Sequence, residues 1–507
     1  MTSLRFKAAL IPATAMLILA GCRVGPVYHQ PAATAQAPPA AYKETPSETQ
    51  DSGDWKVANP QDAMLRGKWW EIYNEPELND LEDKLNINNQ TIKVYFANFM
   101  EARTLIAQAH AQLYPTLGTT PSYSRTRSSA NLGSGNTGGN AAGNQGSLTS
   151  TPLTASWEPD LWGRVRNTIR EEQYNAQLSA ADLENERLTE QATLAEVFFE
   201  IRGQDALIEL YTNTVKAYQH SLDIARSAYE TGVGDQITVV EAENTLQNAQ
   251  SSLTNLGVAR AEDEHAIAML IGTNPSSFSI PTKSLKATPP PIPIGLPSQL
   301  LERRPDVAAS ERSMAAANAQ IGVAVAAFYP NLTLSAEGGF ESSAIQHLFD
   351  WPSRFWSVGS SVSETIFDAG LRRATVNQYI ATYNADVASY RQTVLTAFQQ
   401  VEDYLAAVRI LSKQIQQQEL AVQSANKYVE LETGRYETGI DPYVDVVTAQ
   451  TTLLSDQQSL ATLHIQQMTA SVELIQALGG GWNVNQLPTA AGITSKAAED
   501  RLRNGPQ

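Results

Sequence analysis

The sequence predicts a mixed α and β membrane protein in which one structural unit is used twice. Three observations predict it. Tyr229-Glu230-Thr231-Gly232 recurs as Tyr436-Glu437-Thr438-Gly439, with Gly163 and Gly370 at one fixed offset upstream and Gly272 and Gly479 at another downstream. Such self-similarity marks an internal repeat. Each copy also contains a stretch that reads as a β-hairpin. Each hairpin is followed by helical sequence too long for an ordinary soluble core, which points to a membrane-spanning tube.

Residues 1–21 read as a signal peptide. Arg5 and Lys7 supply its positive region, and Ala8 to Ala20 is apolar but shorter than a membrane-crossing helix of about 20 residues. Leu19-Ala20-Gly21-Cys22 resembles the bacterial lipobox, which makes Cys22 the expected lipidation site. Arg23 after it is a non-acidic residue that fits delivery to the outer membrane. Cys22 is the sole cysteine, so an intrachain disulfide is excluded. Loss of residues 1–21 would remove two positive charges from a chain of net charge −17. Residues 22–60, rich in Pro, Ala, Thr and Gln, read as an extended tether from the lipid to the folded body.

Residues 61–272 form the first copy: a helix from about Asp80 to Leu113, a hairpin near 116–158, a long helix 163–231 and a return helix 235–271. A Pro-rich linker, 273–297, joins it to the second copy at 298–482. That copy holds a helix from about Pro305 to Phe328, a hairpin near 331–367, a long helix 370–438 and a return helix 442–478. The first helices stop at Tyr114-Pro115 and Tyr329-Pro330, because a proline disfavours helix in the residue before it. The long helices end at the duplicated glycines, as C-terminal caps do. Residues 483–507 read as a flexible tail.

The third strand shows the clearest alternation. Leu332, Leu334, Ala336, Gly338 and Phe340 share one face; Asn331, Thr333, Ser335, Glu337 and Glu341 share the other. That is the pattern of a strand with lipid on one side and water on the other. The fourth strand, about Phe355 to Phe367, aligns Trp356, Val358, Val362 and Ile366, with Glu364 breaking the pattern near its end. The first two, near Leu117–Arg127 and Leu148–Trp157, alternate poorly and flank a Gly/Asn/Ser-rich surface loop. In the second long helix Val376, Ile380, Tyr383, Val387, Tyr390, Val394, Phe398 and Val401 recur at gaps of three or four, a coiled-coil-like seam.

Two hairpins supply four strands per chain, which cannot close a barrel. Eight strands make a barrel filled by its own side chains. A trimer, with twelve, is the smallest assembly that leaves a pore, and the helices would extend from it as a second tube. The acidic balance and the absence of a basic stripe argue against nucleic acid as a partner. The six histidines lack metal-ligand spacing, and neither a phosphate-binding glycine loop nor a nucleophile elbow is present. The expectation is a protein that is no enzyme and has no cofactor or metal.

Five segments carry a resemblance to a family. They are Trp69-Trp70-Glu71-Ile72-Tyr73, Glu158-Pro159-Asp160-Leu161-Trp162-Gly163-Arg164, Leu301-Glu302-Arg303-Arg304-Pro305-Asp306-Val307, Ile366-Phe367-Asp368-Ala369-Gly370 and Leu478-Gly479-Gly480-Gly481-Trp482. In this order, from Cys22 to about Trp482, the chain resembles the outer-membrane factor (TolC-like) family. It is most similar to the lipidated OprM/NodT-type channels of resistance–nodulation–division (RND) efflux systems. The resemblance implies a homotrimer with a twelve-stranded β-barrel in the outer membrane, continuous with a twelve-helix α-barrel in the periplasm. It implies docking to a periplasmic membrane-fusion adaptor and an inner-membrane RND-type pump, and passive export of drugs or other small toxic compounds. By the family's motifs the periplasmic gate falls on Tyr436, Asp441 and Asp445, with Tyr229 and Asp235 in the first copy. Threefold symmetry would set three Asp441 carboxylates round one axis and favour cations; Asp441 also suits a helix N-terminal dipole. Pro305 and Asp306 read as a helix start rather than a substrate site. Two alternatives stay open: the outer-membrane duct of a type I protein-secretion system, and a non-conducting structural envelope lipoprotein.

Overall fold

The computed structural model describes residues 23–34, 42–44, 67–127, 145–285, 288–292 and 301–494. The signal peptide, Cys22 and the loop between the first two strands lie outside these residues. Helices α1 (Pro76–Asn88) and α2 (Gln90–Ala111) precede a first β-segment. Helices α3 (Arg164–Glu230) and α4 (Gln236–Leu270) follow it. Helix α5 (Pro305–Ala326) precedes a second β-segment, followed by α6 (Leu371–Glu437) and α7 (Tyr443–Ala477). Helices α3 and α6 have 67 residues each, α4 and α7 have 35, and α2 and α5 have 22. At 1.5 Å per residue the longest pair reaches about 100 Å. Among the described residues no helix is long and apolar enough to cross a membrane.

The single helix expected over 80–113 is two helices, broken at Asn89. Its side chain accepts from Ile92 N at 2.9 Å, capping α2, and donates to Leu270 O at 3.0 Å. Each long helix starts after a glycine in the left-handed region, Gly163 (φ 79) and Gly370 (φ 89). Asp160 accepts from the N–H groups of Val165 and Arg166, and Asp368 from those of Gly370 and Arg372. These carboxylates satisfy donors that a helix start leaves open. Two of the sequence's marker segments are thus turns that aim a long helix away from a sheet.

The sheet is antiparallel. Its segments are β1 (Thr116–Thr119), β2 (Ser122–Arg127), β3 (Gln145–Trp157), β4 (Asn331–Ser342) and β5 (Arg354–Ser363). β1 and β2 pair with β3 in one continuous register, Thr119 opposite Leu153 and Ser122 opposite Ser150. They are one strand interrupted before Pro121, which has no N–H to give the ladder. β3 pairs with β4 and β4 with β5, so among the described strands the β1/β2 strand and β5 form two open edges. β5 stops at Ser363, earlier than expected, leaving Glu364, Ile366 and Phe367 beyond the strand in the turn to α6.

Directly opposed residues share a face, so the register sorts the whole sheet. Leu117, Tyr123, Leu153, Ala155, Trp157, Leu332, Leu334, Ala336, Phe340, Trp356, Val358 and Val362 lie on one side. The other side is Ser, Thr and Gly with Asn331, Glu337 and Glu341; Leu148, Pro152 and Phe355 are its larger apolar members. This is the division of a lipid-facing, water-facing sheet.

The main core sits midway along the long helices. Trp69, Trp70, Tyr73, Leu78 and Leu85 pack there with Leu194, Phe198, Phe199 and Ile201 of α3, Val394 and Val401 of α6, and Leu474 and Ile475 of α7. Gly203 meets α7 so closely that an added Cβ would lie 2.2 Å from Ile465. The N-terminal stretch is no free tether where described. Val24 N donates to Trp162 O (3.1 Å), Tyr28 OH to Glu311 (2.6 Å) and Lys43 N to Glu402 (2.8 Å), and Tyr42 is buried. Its two tyrosines give it apolar area to bury against the helices. Nor is 483–507 wholly a loose tail: a short helix, α8 (Ala490–Thr494), buries Ile493 against Ile106 and Ala176. The residues beyond 494 lie outside the described ones.

The linker is fastened at its start by buried charge. Asp205, fully buried, pairs with Arg202 (3.2 Å) and Arg260 (2.7 Å) and accepts from Lys283 N (2.8 Å). Arg202 also donates to Pro281 O and Arg260 to Ile280 O. Removing one partner of a buried pair leaves the other charge uncompensated, at a cost of about 3–5 kcal/mol. Glu77 and Glu264 remain beside the arginines, so Asp205→Ala should fall at the low end of that range. The check is thermal unfolding of the purified protein; an unchanged midpoint would remove the cluster from the supports of the fold.

Candidate functional site

The ends of the helices farthest from the sheet hold the candidate site. Helix α3 ends at Gly232 (φ 73), with Gly232 N donating to Tyr229 O and Val233 N to Ala228 O. Helix α6 ends in the same way at Gly439 (φ 74), with Gly439 N to Tyr436 O and Ile440 N to Arg435 O. Both are Schellman caps, which need a left-handed residue and therefore favour glycine. Each reverses the chain within a few residues and starts the return helix.

At the second turn Asp441 is held by Arg435. The guanidinium engages both carboxylate oxygens, with Arg435 Nη2 to Asp441 Oδ1 at 2.9 Å and a shorter contact from Nε. This hydrogen-bonded ion pair keeps the Asp441 carboxyl below the usual carboxylate range. Glu432, one turn before Arg435, is pushed upward by partial desolvation and by Asp441 beside it. Asp445, in the first turn of α7, adds its field to both Glu432 and Arg435. Asp441 does not serve as the helix cap, because Pro442 occupies that position with α7 starting at Tyr443. Its carboxylate is spent across the turn instead.

Tyr436 leans on Tyr443, ring centroids 5.3 Å apart, beside a small core of Tyr218, Leu222, Leu246 and Val446. Burial raises the Tyr436 phenol, and the charge of Asp235 adds to the shift, so the second turn lies near the start of α4. Asp235 itself caps α4, accepting from Thr238 N at 2.8 Å and Thr238 Oγ1 at 3.0 Å, which lowers its pKa. Tyr229 is half exposed on the last turn of α3. The structure therefore gathers Tyr436, Asp441 and Asp445, sets Asp235 near Tyr436, and leaves Tyr229 on the surface. Sequence reasoning missed Arg435, Glu432 and Tyr443. The signal was present, since Glu432 and Arg435 stand three apart and so share a helix face. Among the described residues no cluster of His, Cys, Asp and Glu is arranged to hold a metal.

An antiparallel sheet with one apolar face, two open edges and helices of about 100 Å on one side defines a class of protein, the membrane-embedded duct. The chain belongs to the outer membrane efflux protein family, whose model matches residues 81–273 and 296–480. It is 33% identical over 494 residues to the solvent efflux pump outer membrane protein SrpC of Pseudomonas putida, covering 95% of this chain and 100% of that one. The cation efflux system protein CusC of Escherichia coli is 26% identical over 478 residues, covering 93% of this chain and 98% of CusC. The structure of this chain is similar to that of the outer-membrane channel OprN (TM-score 0.79, 25% identity, 91% of this chain and 100% of that one). It also resembles the open state of the Neisseria gonorrhoeae MtrE outer membrane channel (TM-score 0.76, 25% identity, 91% and 99%). The chain is an outer-membrane efflux channel and acts as a duct, not as an enzyme.

Proposed function

We propose that three copies of this chain close a twelve-stranded barrel in the outer membrane and continue as a twelve-helix tube through the periplasm, each copy carrying the duplicated unit. The observation that carries this reading is the pair of open sheet edges. β5 presents Trp356, Val358 and Val362, all more than two-thirds exposed in the single chain, beside unpaired backbone. In a bilayer such an edge must be paired. Joining the β1/β2 strand of one copy to β5 of the next leaves no edge open. The exposed Ile380, Leu395, Ile410 and Leu420 along α6 then meet the next copy's helices.

Cys22 anchors each copy by lipid. The tip meets a periplasmic membrane-fusion adaptor, and an inner-membrane RND-type pump supplies the energy. The cargo is drugs or other small toxic compounds, in keeping with the solvent and cation efflux in the names of relatives. Purified protein in planar bilayers should conduct, and a strain lacking the gene should become more susceptible to solvents and drugs. A non-conducting trimer, or a defect confined to secreted proteins, would overturn the respective part.

The cluster of Tyr436, Asp441 and Asp445, with Asp235 and Tyr229 nearby, is the gate, drawn closed by the Arg435–Asp441 clasp. Two carboxyls with opposite shifts give it a pH signature. Asp441, depressed below 3.8, supports closure above that range and ceases to as pH falls through its lowered value. Glu432, raised above 4.5, supports closure when neutral, relieving repulsion of Asp441, and that support is lost as pH rises through its value. Conductance should therefore pass through a minimum at mildly acid pH and rise on both sides. A steady rise from neutral to acid would contradict this assignment.

A further inference from the structure

We propose that Arg354, Arg125 and Arg127 bind the phosphates of outer-leaflet lipid headgroups at the seams between copies. The register places these residues. Arg354 lies opposite Phe340, and Arg125 and Arg127 alternate with Tyr123 opposite Ser147 and Gln145. All three therefore project from the face that carries Trp356, Val358 and Val362. They are the only charged side chains on that face among the described strands, whereas the only charges on the other face are Glu337 and Glu341. Charge is thus divided by sign across the sheet, cations toward lipid and anions toward the lumen.

The height of Arg354 fits a headgroup rather than the hydrocarbon, and the register sets Arg125 and Arg127 four and six residues farther toward the same end. Phe340 and Arg354 lie eight residues along β4 from Leu332, or about 26 Å along the strand at 3.3 Å per residue. With a tilt near 40° this becomes roughly 20 Å of height, close to the apolar band of such barrels, about 25 Å. The arginines belong to the end remote from the helices, where the hairpins turn. There the Arg354 guanidinium lies 3.5 Å from the ring centroid of Trp351, and Phe349 packs on Phe340 at 5.6 Å. Exposed indole and phenyl rings at a strand end suit the boundary between acyl chains and headgroups. A guanidinium steadied on one of them keeps its planar donor edge for a phosphate.

Arg354 stands on one open edge and Arg125 and Arg127 on the other. The trimer proposed above brings them to a common seam, and that part of the inference rests on it; molecular mass in detergent tests the trimer independently of lipid binding. The binding test uses full-length protein in detergent with lipid A, a bis-phosphorylated glycolipid, and the same glycolipid stripped of phosphate. Native mass spectrometry should show the phosphorylated form retained at least about fivefold better, as expected for charge-assisted, bidentate contacts. Arg125→Gln/Arg127→Gln/Arg354→Gln should abolish that preference, and the corresponding triple Lys variant, which keeps the charge but not the planar fork, should keep only part of it. Should the triple Gln variant not fold, Arg354→Gln alone should lower the preference, and the two glycolipids still decide the matter on the unaltered protein. Equal retention of the two glycolipids, or undiminished preference in a folded Gln variant, overturns the proposal. So does loss of the preference on adding millimolar inorganic phosphate, which would mark a site for free anions.

Discussion

Asp441→Asn combined with Tyr436→Phe should raise single-channel conductance in planar bilayers severalfold and weaken cation preference. In the structure Asp441 is the acceptor of a two-point guanidinium contact that ties the end of α6 to the start of α7. Asparagine keeps the shape but removes the charge, and charge-assisted pairs are about twice as strong as neutral ones. Tyr436 rests on Tyr443 and its phenol feels the charge of Asp235 at the start of α4, so Tyr436→Phe removes a polar group on the side of the first turn. Arg435→Ala provides an independent version of the same experiment. It frees Asp441 without discharging it, so conductance should rise while cation preference is kept or strengthened. If neither change alters conductance, the clasp is not the gate.

The second large effect concerns the seam. Adjacent residues of a strand direct their N–H groups to opposite sides, so Ser357→Pro and Val358→Pro remove donors toward different neighbours. One strikes the ladder with β4; the other strikes only what lies outside β5. On a free edge the second is tolerated, because proline is accepted where the N–H faces solvent. On a joined edge both should abolish the trimer, read as loss of the high-mass species in detergent. A stable trimer in the variant that loses the outward-facing donor would argue against closure through β5.

Much of this architecture was legible in the sequence, and the failures have physical causes. The helix ends at Gly232 and Gly439 could be placed because a Schellman cap needs a left-handed residue, and the third strand because Leu332 to Phe340 alternates. The first hairpin is obscure in the sequence because Thr119, Thr149 and Thr151 occupy positions on the apolar face. Threonine is neutral to pattern, and only pairing with β4 reveals the side on which it lies. The break at Asn89 is hidden in the sequence because the apolar periodicity runs through it, and the Asn89 side chain that caps α2 is held by Leu270 O, far away in sequence. At the tip, motif resemblance pointed to Asp441 but not to Arg435. The pair spans a turn whose geometry brings residues six apart together, a spacing that helix periodicity does not mark.

At the offset that maps Tyr436 onto Tyr229, Arg435 falls on Ala228, Asp441 on Gly234 and Glu432 on Ala225. The first turn has none of the clasp, although its backbone cap is the same. A ring of three chains would present six such turns in alternation, three latched and three plain. Such a mouth would work as an iris in which every second leaf carries the catch. Three releases would then suffice to loosen all six leaves.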